Sequence, residues 1–303
     1  MRADVEQMTT EFGIPGVLGF RENEAGLASV EITTSSAAAT IYLQGAHLTR
    51  WEPAGTGPVL FLSPQSEFVP GKAIRGGVPI SFPWFATDTN QARFDGKPGP
   101  AHGFARTEPW TLAFAAVAGD DVHLTFTLGP TARSRKLGFD RFRLAYQVTI
   151  GQRLALRLTV ANDASDRLSF EEAFHTYFAV ADVRETPVSG LEGTPYLDKI
   201  DGVQMKPASG VPLVCGGPTD RVYNGTEAPC TLGDRGGGRQ ITVLKTNSRT
   251  TVVFNPGKAM ADLGETEWPY MLCVETANAG VDRVTLGAGE THTMAAEISV
   301  REA

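Results

Sequence analysis

Six polar side chains in this 303-residue chain stand among aromatic, glycine-rich or strand-forming neighbours: Arg75, His102, Arg106, His175, Asp220 and Glu275. His175 lies in Ser169-Phe170-Glu171-Glu172-Ala173-Phe174-His175-Thr176-Tyr177-Phe178, and Glu275 ends the apolar run Met271-Leu272-Cys273-Val274. A buried, unpaired carboxylate is costly, so Glu275 needs either a partner or a task. An imidazole in apolar company is either a satisfied core group or an acid/base titrating near neutrality. Together the two residue types can supply the base and the acid of a proton-transfer reaction. Arg75 precedes Gly76-Gly77, and Arg106 follows His102-Gly103-Phe104-Ala105. Glycine lets a backbone approach a ligand, and a guanidinium fork matches phosphate oxygens; the alternative is two structural ion pairs. Asp220, in Thr219-Asp220-Arg221-Val222-Tyr223, also reads as an ordinary turn acid.

The elements that position these residues read as strands. Side chains alternate along a strand, so Glu171, Ala173, His175 and Tyr177 share one face of theirs. Glu172, Phe174, Thr176 and Phe178 take the other, and a kink in this stretch is compatible with its composition. Period-two patterns with one buried face recur at Leu124-Phe126-Leu128, Leu144-Tyr146-Val148-Ile150 and Leu154-Leu156-Leu158-Val160. Gly151-Gln152 between the last two fits a type II′ hairpin. Further strands are expected at 28–33, 39–43, 47–51, 59–62, 240–244, 251–254, 270–276 and 294–300, with a helical turn or two at 131–136 and 259–263. Residues 63–109 form a long irregular stretch, and such loops are usually functional or disordered. Its aromatic residues (Phe82, Trp84, Phe85, Phe94, Phe104) argue against disorder. Trp84 and Phe104 fit packing under that loop better than sugar stacking. The expected architecture is all-β: one mostly antiparallel sandwich domain over residues 1–303, with residues 1–27 as a loose N-terminal arm.

Composition narrows the function. The net charge of −7 and a pI near 5.3 disfavour nucleic acid and anionic membrane, both of which need a basic face. They leave room for a small anion held by a local arginine pair. Cys215, Cys230 and Cys273 form no C-x-x-C pair, so neither a disulfide framework nor a cysteine zinc site is expected. The start of the chain lacks the apolar run of a signal peptide, and no apolar stretch approaches the ~20 residues of a membrane span. A soluble cytoplasmic protein, monomeric or weakly dimeric, is the expectation. Phosphate-loop, dinucleotide, zinc-protease and serine-hydrolase signatures are absent. The five histidines, His47, His102, His123, His175 and His292, are too dispersed to define a metal site. No metal or cofactor is expected.

Six segments in order resemble one family. They are Lys72–Pro79, Pro100–Arg106, Phe174–Phe178, Thr219–Tyr223, Phe254-Asn255-Pro256-Gly257 and Cys273-Val274-Glu275-Thr276. From about Gln44 to the C-terminus the chain resembles the glucose-6-phosphate 1-epimerases, or hexose-6-phosphate mutarotases, of the aldose 1-epimerase superfamily. The resemblance implies a large galactose-mutarotase-like β-sandwich (supersandwich) that interconverts the α and β anomers of a hexose 6-phosphate. It also implies that His175 is the general acid and Glu275 the general base. Arg75 and Arg106 would hold the phosphate or nearby oxygens, Asp220 would bind sugar hydroxyls, and His102 would be a second ring-contacting histidine. Ala101 departs from the pattern, because some members carry a substrate-binding glutamine there. Three other readings use the same residues differently. They are an aldose 1-epimerase acting on unphosphorylated sugars, a non-enzymatic carbohydrate-binding sandwich, and a glycosidase pairing Glu275 with Glu171 or Glu172.

Overall fold

The structure, a computed structural model, describes residues 4–87 and 99–303; Phe94 therefore lies outside the described residues. Two eight-stranded sheets carry the fold, and all of their strand pairings are antiparallel. The first, which holds the candidate residues, runs in the order 204–206, 196–198, 219–223, 250–255, 271–278, 172–174, 80–81. Its eighth strand, Tyr177–Ala179, also pairs with Met271–Asn278. The second sheet runs 188–189, 230–234, 239–246, 291–302, 154–162, 142–150, 121–128, 111–118. A four-stranded sheet of residues 18–53 and a short pair, 168–170 with 284–286, complete it.

The alternation read from sequence explains how the layers meet. Phe142, Leu144, Tyr146, Val148 and Ile150 are all buried, as are Leu154, Leu156, Leu158 and Val160 opposite them. Tyr146 meets Phe174 of the first sheet at 5.7 Å between ring centroids, and Phe142 meets Phe82 at 5.5 Å. Three aromatic residues of the long loop join the same core: Phe82 and Phe104 are fully buried, and Trp84 packs on Phe104. Trp84 and Phe104 are thus packing residues. Among the described residues no helix is long and apolar enough to cross a membrane.

Several local expectations are corrected. Residues before 28 are not all arm, since Val5–Phe12 is a helix capped by Asp4 and Leu18–Glu22 is the first strand. The turn at Gly151 is not type II′: Ile150 pairs with Leu154, leaving three residues in the loop, and Gly151 is not in the left-handed region. A Cβ there would lie 1.8 Å from Asp121 Oδ1, so a larger residue would require the Asp121 side chain to move. Residues 59–62 form isolated bridges, to Phe178 and Gly76, instead of a ladder. Ala132–Lys136 is helical, whereas 259–263 is a tight turn closed by Met260 and Leu263.

Glu172 and His292 tie the two sheets together. Glu172 is fully buried, and its Oε1 lies 3.0 Å from His292 Nε2 and accepts from Asn278 Nδ2 at 2.9 Å. Burial opposes the imidazolium, but the hydrogen bond and charge of Glu172 outweigh it and raise the pKa of His292. A raised folded-state pKa means that the pair's stabilisation is complete below the ordinary histidine value and fades as pH rises through the raised one. The stability difference between wild type and Glu172→Gln, read from denaturant midpoints, is therefore expected to be larger at pH 6 than at pH 9. An equal difference at both pH values would show that the pair is not ionic.

Candidate functional site

The centre of the site is a gap in a strand ladder. Glu172, Ala173 and Phe174 pair with Asn278, Ala277 and Thr276, and Tyr177 and Phe178 pair with Cys273 and Leu272. The offset is the same on both sides, so His175 stands directly across from Glu275. The two intervening rungs are open because the backbone turns. Thr176 N–H donates to Phe174 O at 2.9 Å, a γ-turn centred on His175, while the His175 and Tyr177 amides donate to Pro79 O and Gly77 O at 3.0 and 2.9 Å. The kink read in this segment is this turn. His175 Nε2 lies 3.4 Å from Glu275 Oε1, too long for a strong hydrogen bond but close enough for a shared proton acceptor. Both side chains are almost wholly buried, and His175 Nδ1 and Glu275 Oε2 make no hydrogen bond among the described residues.

All six residues read from sequence line one cavity of about 260 Å³. A larger cleft of about 400 Å³ between residues 25–28 and 70–71 contains no acidic, basic or histidine side chain, so volume alone does not mark the chemistry. The His102 ring meets the His175 ring edge-on at 4.9 Å, and Tyr177 stacks on His175 at 4.8 Å and 10°. His102 holds a left-handed φ of 63°, an uncommon conformation for a residue with a side chain. It is fixed by its amide, which donates to Ala86 O at 2.7 Å.

The arginines are anchored differently. Arg75 donates from Nε to Asp262 Oδ1 at 3.0 Å and from NH1 to the Tyr177 hydroxyl at 2.8 Å. Arg106 donates from NH2 to Ala101 O at 2.8 Å and has no carboxylate within 4 Å among the described residues. The glycines beside these arginines serve the backbone instead of a ligand. A Cβ on Gly77 would lie 2.3 Å from Leu48 O, and one on Gly103 1.9 Å from Phe82 O. Asp220, on the Thr219–Tyr223 strand, faces Lys199 Nζ at 3.8 Å.

The electrostatics run against charge on the central pair. Burial lowers the His175 pKa well below the ordinary value, helped by His102 and the cations Arg106 and Arg75. Burial raises Glu275 well above the carboxylate range, with Asp220 adding to it and Lys199 and Arg106 opposing. His102 is pushed down to about 3 by burial and then by Arg106, Lys199 and Arg75. His175 is therefore not held as imidazolium. Opposite shifts on these neighbouring groups describe a pair that carries one proton, resting on Glu275.

Glu171 and Glu172 do not line the cavity. Glu171 accepts from the Phe85 and Gly280 amides, each at 2.9 Å, and Glu172 is committed to His292. The carboxylate pairing of a glycosidase is therefore not assembled from them. Sequence reading missed Lys199, Phe85 and Asp262. Lys199 sits in Asp198-Lys199-Ile200-Asp201-Gly202, which has the composition of a solvated turn, and Asp262 lies in a stretch read as helical.

A profile described as "Aldose 1-epimerase" matches residues 28–299. A protein of Escherichia coli (strain K12) named "Putative glucose-6-phosphate 1-epimerase" is 35% identical over 254 residues, 80% of each chain. One of the same name from Cenchrus ciliaris is 33% identical over 265 residues, 83% of this chain and 78% of that one. The crystal structure of "a putative mutarotase (YeaD) from Salmonella typhimurium" superposes with a TM-score of 0.88 at 30% identity, covering 96% of both chains. A galactose mutarotase-like protein from Clostridium acetobutylicum shares the fold, with a TM-score of 0.68 at 12% identity over 94% of this chain and 98% of that one. With the profile matched over residues 28–299 and relatives at 33–35% identity, the chain belongs to the aldose 1-epimerase family of isomerases.

Proposed function

We propose that this isomerase interconverts the α and β anomers of hexose 6-phosphates, with D-glucose 6-phosphate as the reference substrate. Glu275 acts as general base and His175 as general acid. The observation that carries this reading is the face-to-face placement of His175 Nε2 and Glu275 Oε1 at 3.4 Å on the cavity wall. Anomerisation removes a proton from the C1 hydroxyl and adds one to the ring oxygen. Both oxygens are bonded to C1, so a single bound sugar can offer one to each group. The C1–O5 bond opens, the aldehyde turns about C1–C2, and reclosure on the other face returns both protons with the roles exchanged. The pair must therefore carry one proton at the start of each cycle, on His175 with Glu275 ionised. The opposed shifts favour one proton on the pair but place it on Glu275, so the bound phosphate dianion has to draw it to His175. Holding acid and base together removes the entropic barrier to their meeting the sugar in water.

Arg75 and Arg106 are the phosphate-binding groups in this reading. Two cations on one small cavity are more than a neutral sugar needs, which favours the phosphorylated substrate over the free aldose. Asp220 accepts from sugar hydroxyls, and neutral His102 contacts the ring beside His175. Ala101 has no side-chain donor, and its carbonyl serves by orienting Arg106.

His175→Asn and Glu275→Gln are each expected to slow anomer exchange of glucose 6-phosphate by about 10²–10⁴-fold, the usual worth of one proton-transfer group. Magnetisation-transfer NMR reads the exchange, and an unchanged melting temperature excludes unfolding. Exchange within a few-fold of wild type in either variant would remove that residue from the mechanism.

The pH profile should be bell-shaped, falling at low pH as the pair gains a second proton and at high pH as it loses its last. A bound phosphate dianion favours protonated forms and raises both apparent pKa values. The alkaline limb of kcat for glucose 6-phosphate is thus expected at higher pH than that of kcat/KM, with no such displacement for glucose. Coincident limbs for the phosphorylated sugar would contradict a phosphate close to the pair.

A further inference from the structure

The cavity holds a third cation to which the reading above gives no task. Lys199 follows the Tyr196–Asp198 strand and lines the cavity with Arg75 and Arg106. Its backbone is fixed on both sides. The Lys199 amide donates to Asp220 O at 2.9 Å, and the amides of Ile200 and Asp201 donate to Asp198 Oδ1 at 3.0 and 3.1 Å. The rest of the hairpin tip is in solvent, with Ile200 55% exposed, whereas the Lys199 side chain is only 28% exposed. Its ammonium lies 5.6 Å from the centre of the Phe85 ring and 3.8 Å from Asp220 Oδ2. The second distance is too long for a hydrogen bond.

The three cations differ in how far they are already engaged. Arg75 is bound to Asp262 and Tyr177, and Arg106 is bound to the Ala101 carbonyl. Lys199 Nζ makes no hydrogen bond among the described residues and has only the 3.8 Å ion contact with Asp220 and the Phe85 ring beside it, so it is the least engaged of the three. His102 feels all three at once, which places Lys199 electrically in the same space as the arginines. We propose that Lys199 is a specificity residue that donates to a phosphoryl oxygen of the substrate, the third contact of a clamp with Arg75 and Arg106. The inference rests on the phosphate reading above and assigns it a residue. The competing role for Lys199 is to hold Asp220 in place; that would affect phosphorylated and free sugars alike.

The test compares wild type, Lys199→Met and Lys199→Arg with three probes: glucose 6-phosphate, glucose and inorganic phosphate. Loss of one charge-assisted hydrogen bond is expected to raise KM for glucose 6-phosphate about 10- to 100-fold in Lys199→Met. Exchange of glucose should fall far less than that of glucose 6-phosphate, inorganic phosphate binding by calorimetry should weaken in parallel with the KM effect, and Lys199→Arg should recover part of the loss. An unchanged KM, or equal losses with both sugars, would overturn the proposal. If wild type exchanged no sugar phosphate, the functional reading would fail. The calorimetry would then still decide for Lys199: weaker phosphate binding in Lys199→Met supports a site for the free anion, and unaltered binding rejects it.

Discussion

The structure depends on a strand that keeps its register while giving up two rungs. Residues 172–179 run against Met271–Asn278 with one offset throughout, yet at His175 and Thr176 the ladder opens. Retained register keeps an imidazole and a carboxylate opposite one another, a placement that side-chain packing in a loop would hold far less tightly. Opening the rungs sends the His175 and Tyr177 amides to Pro79 and Gly77, a few residues from Arg75. The same interruption therefore faces the imidazole to the carboxylate and fixes the segment that delivers a guanidinium. Tyr177 then closes the arrangement, stacking on His175 and accepting from Arg75.

Two Glu–His contacts occur along these strands, and their contrast shows what environment does to a residue pair. Glu172–His292 is 3.0 Å long and Glu275–His175 is 3.4 Å. His292 is half-buried with Glu172 as its dominant charged neighbour, and its pKa rises; the pair is a structural tie between sheets. His175 is fully buried beside Arg106 and Arg75, and its pKa falls. Burial first, and then His102 and the cations Arg106 and Arg75, deny His175 a resting charge. In the proposed reading, a bound phosphate would offset the cations' share of that shift and favour the imidazolium.

Much of this was legible in the chain, and what was not has physical reasons. The alternating segments at 121–128, 142–150 and 154–162 were readable because one face of each strand is buried and the other is not. The six cavity residues stood out because charged groups in apolar or glycine-rich company are expensive. That His175 lies opposite Glu275 was not readable from pattern alone, since pairing between residues a hundred positions apart is set by the whole sheet. Family resemblance supplied the partnership, and the register accounts for it. Local turn chemistry misled at Gly151, whose backbone is not left-handed and whose loop is three residues long. Lys199 was invisible because its turn composition is that of any solvated hairpin, and only the folded tip turns its side chain to the cavity.

The central claim is that the Glu275–His175 pair opens and recloses a sugar phosphate ring. Two-dimensional exchange NMR of glucose 6-phosphate, with catalytic amounts of wild-type protein, addresses it most directly. The account predicts cross-peaks between the α and β anomeric protons that grow in proportion to protein concentration, above the slow spontaneous exchange. Saturable binding of the sugar phosphate with no gain in anomer exchange at any pH between 5 and 9 would contradict it and leave a carbohydrate-binding sandwich in its place.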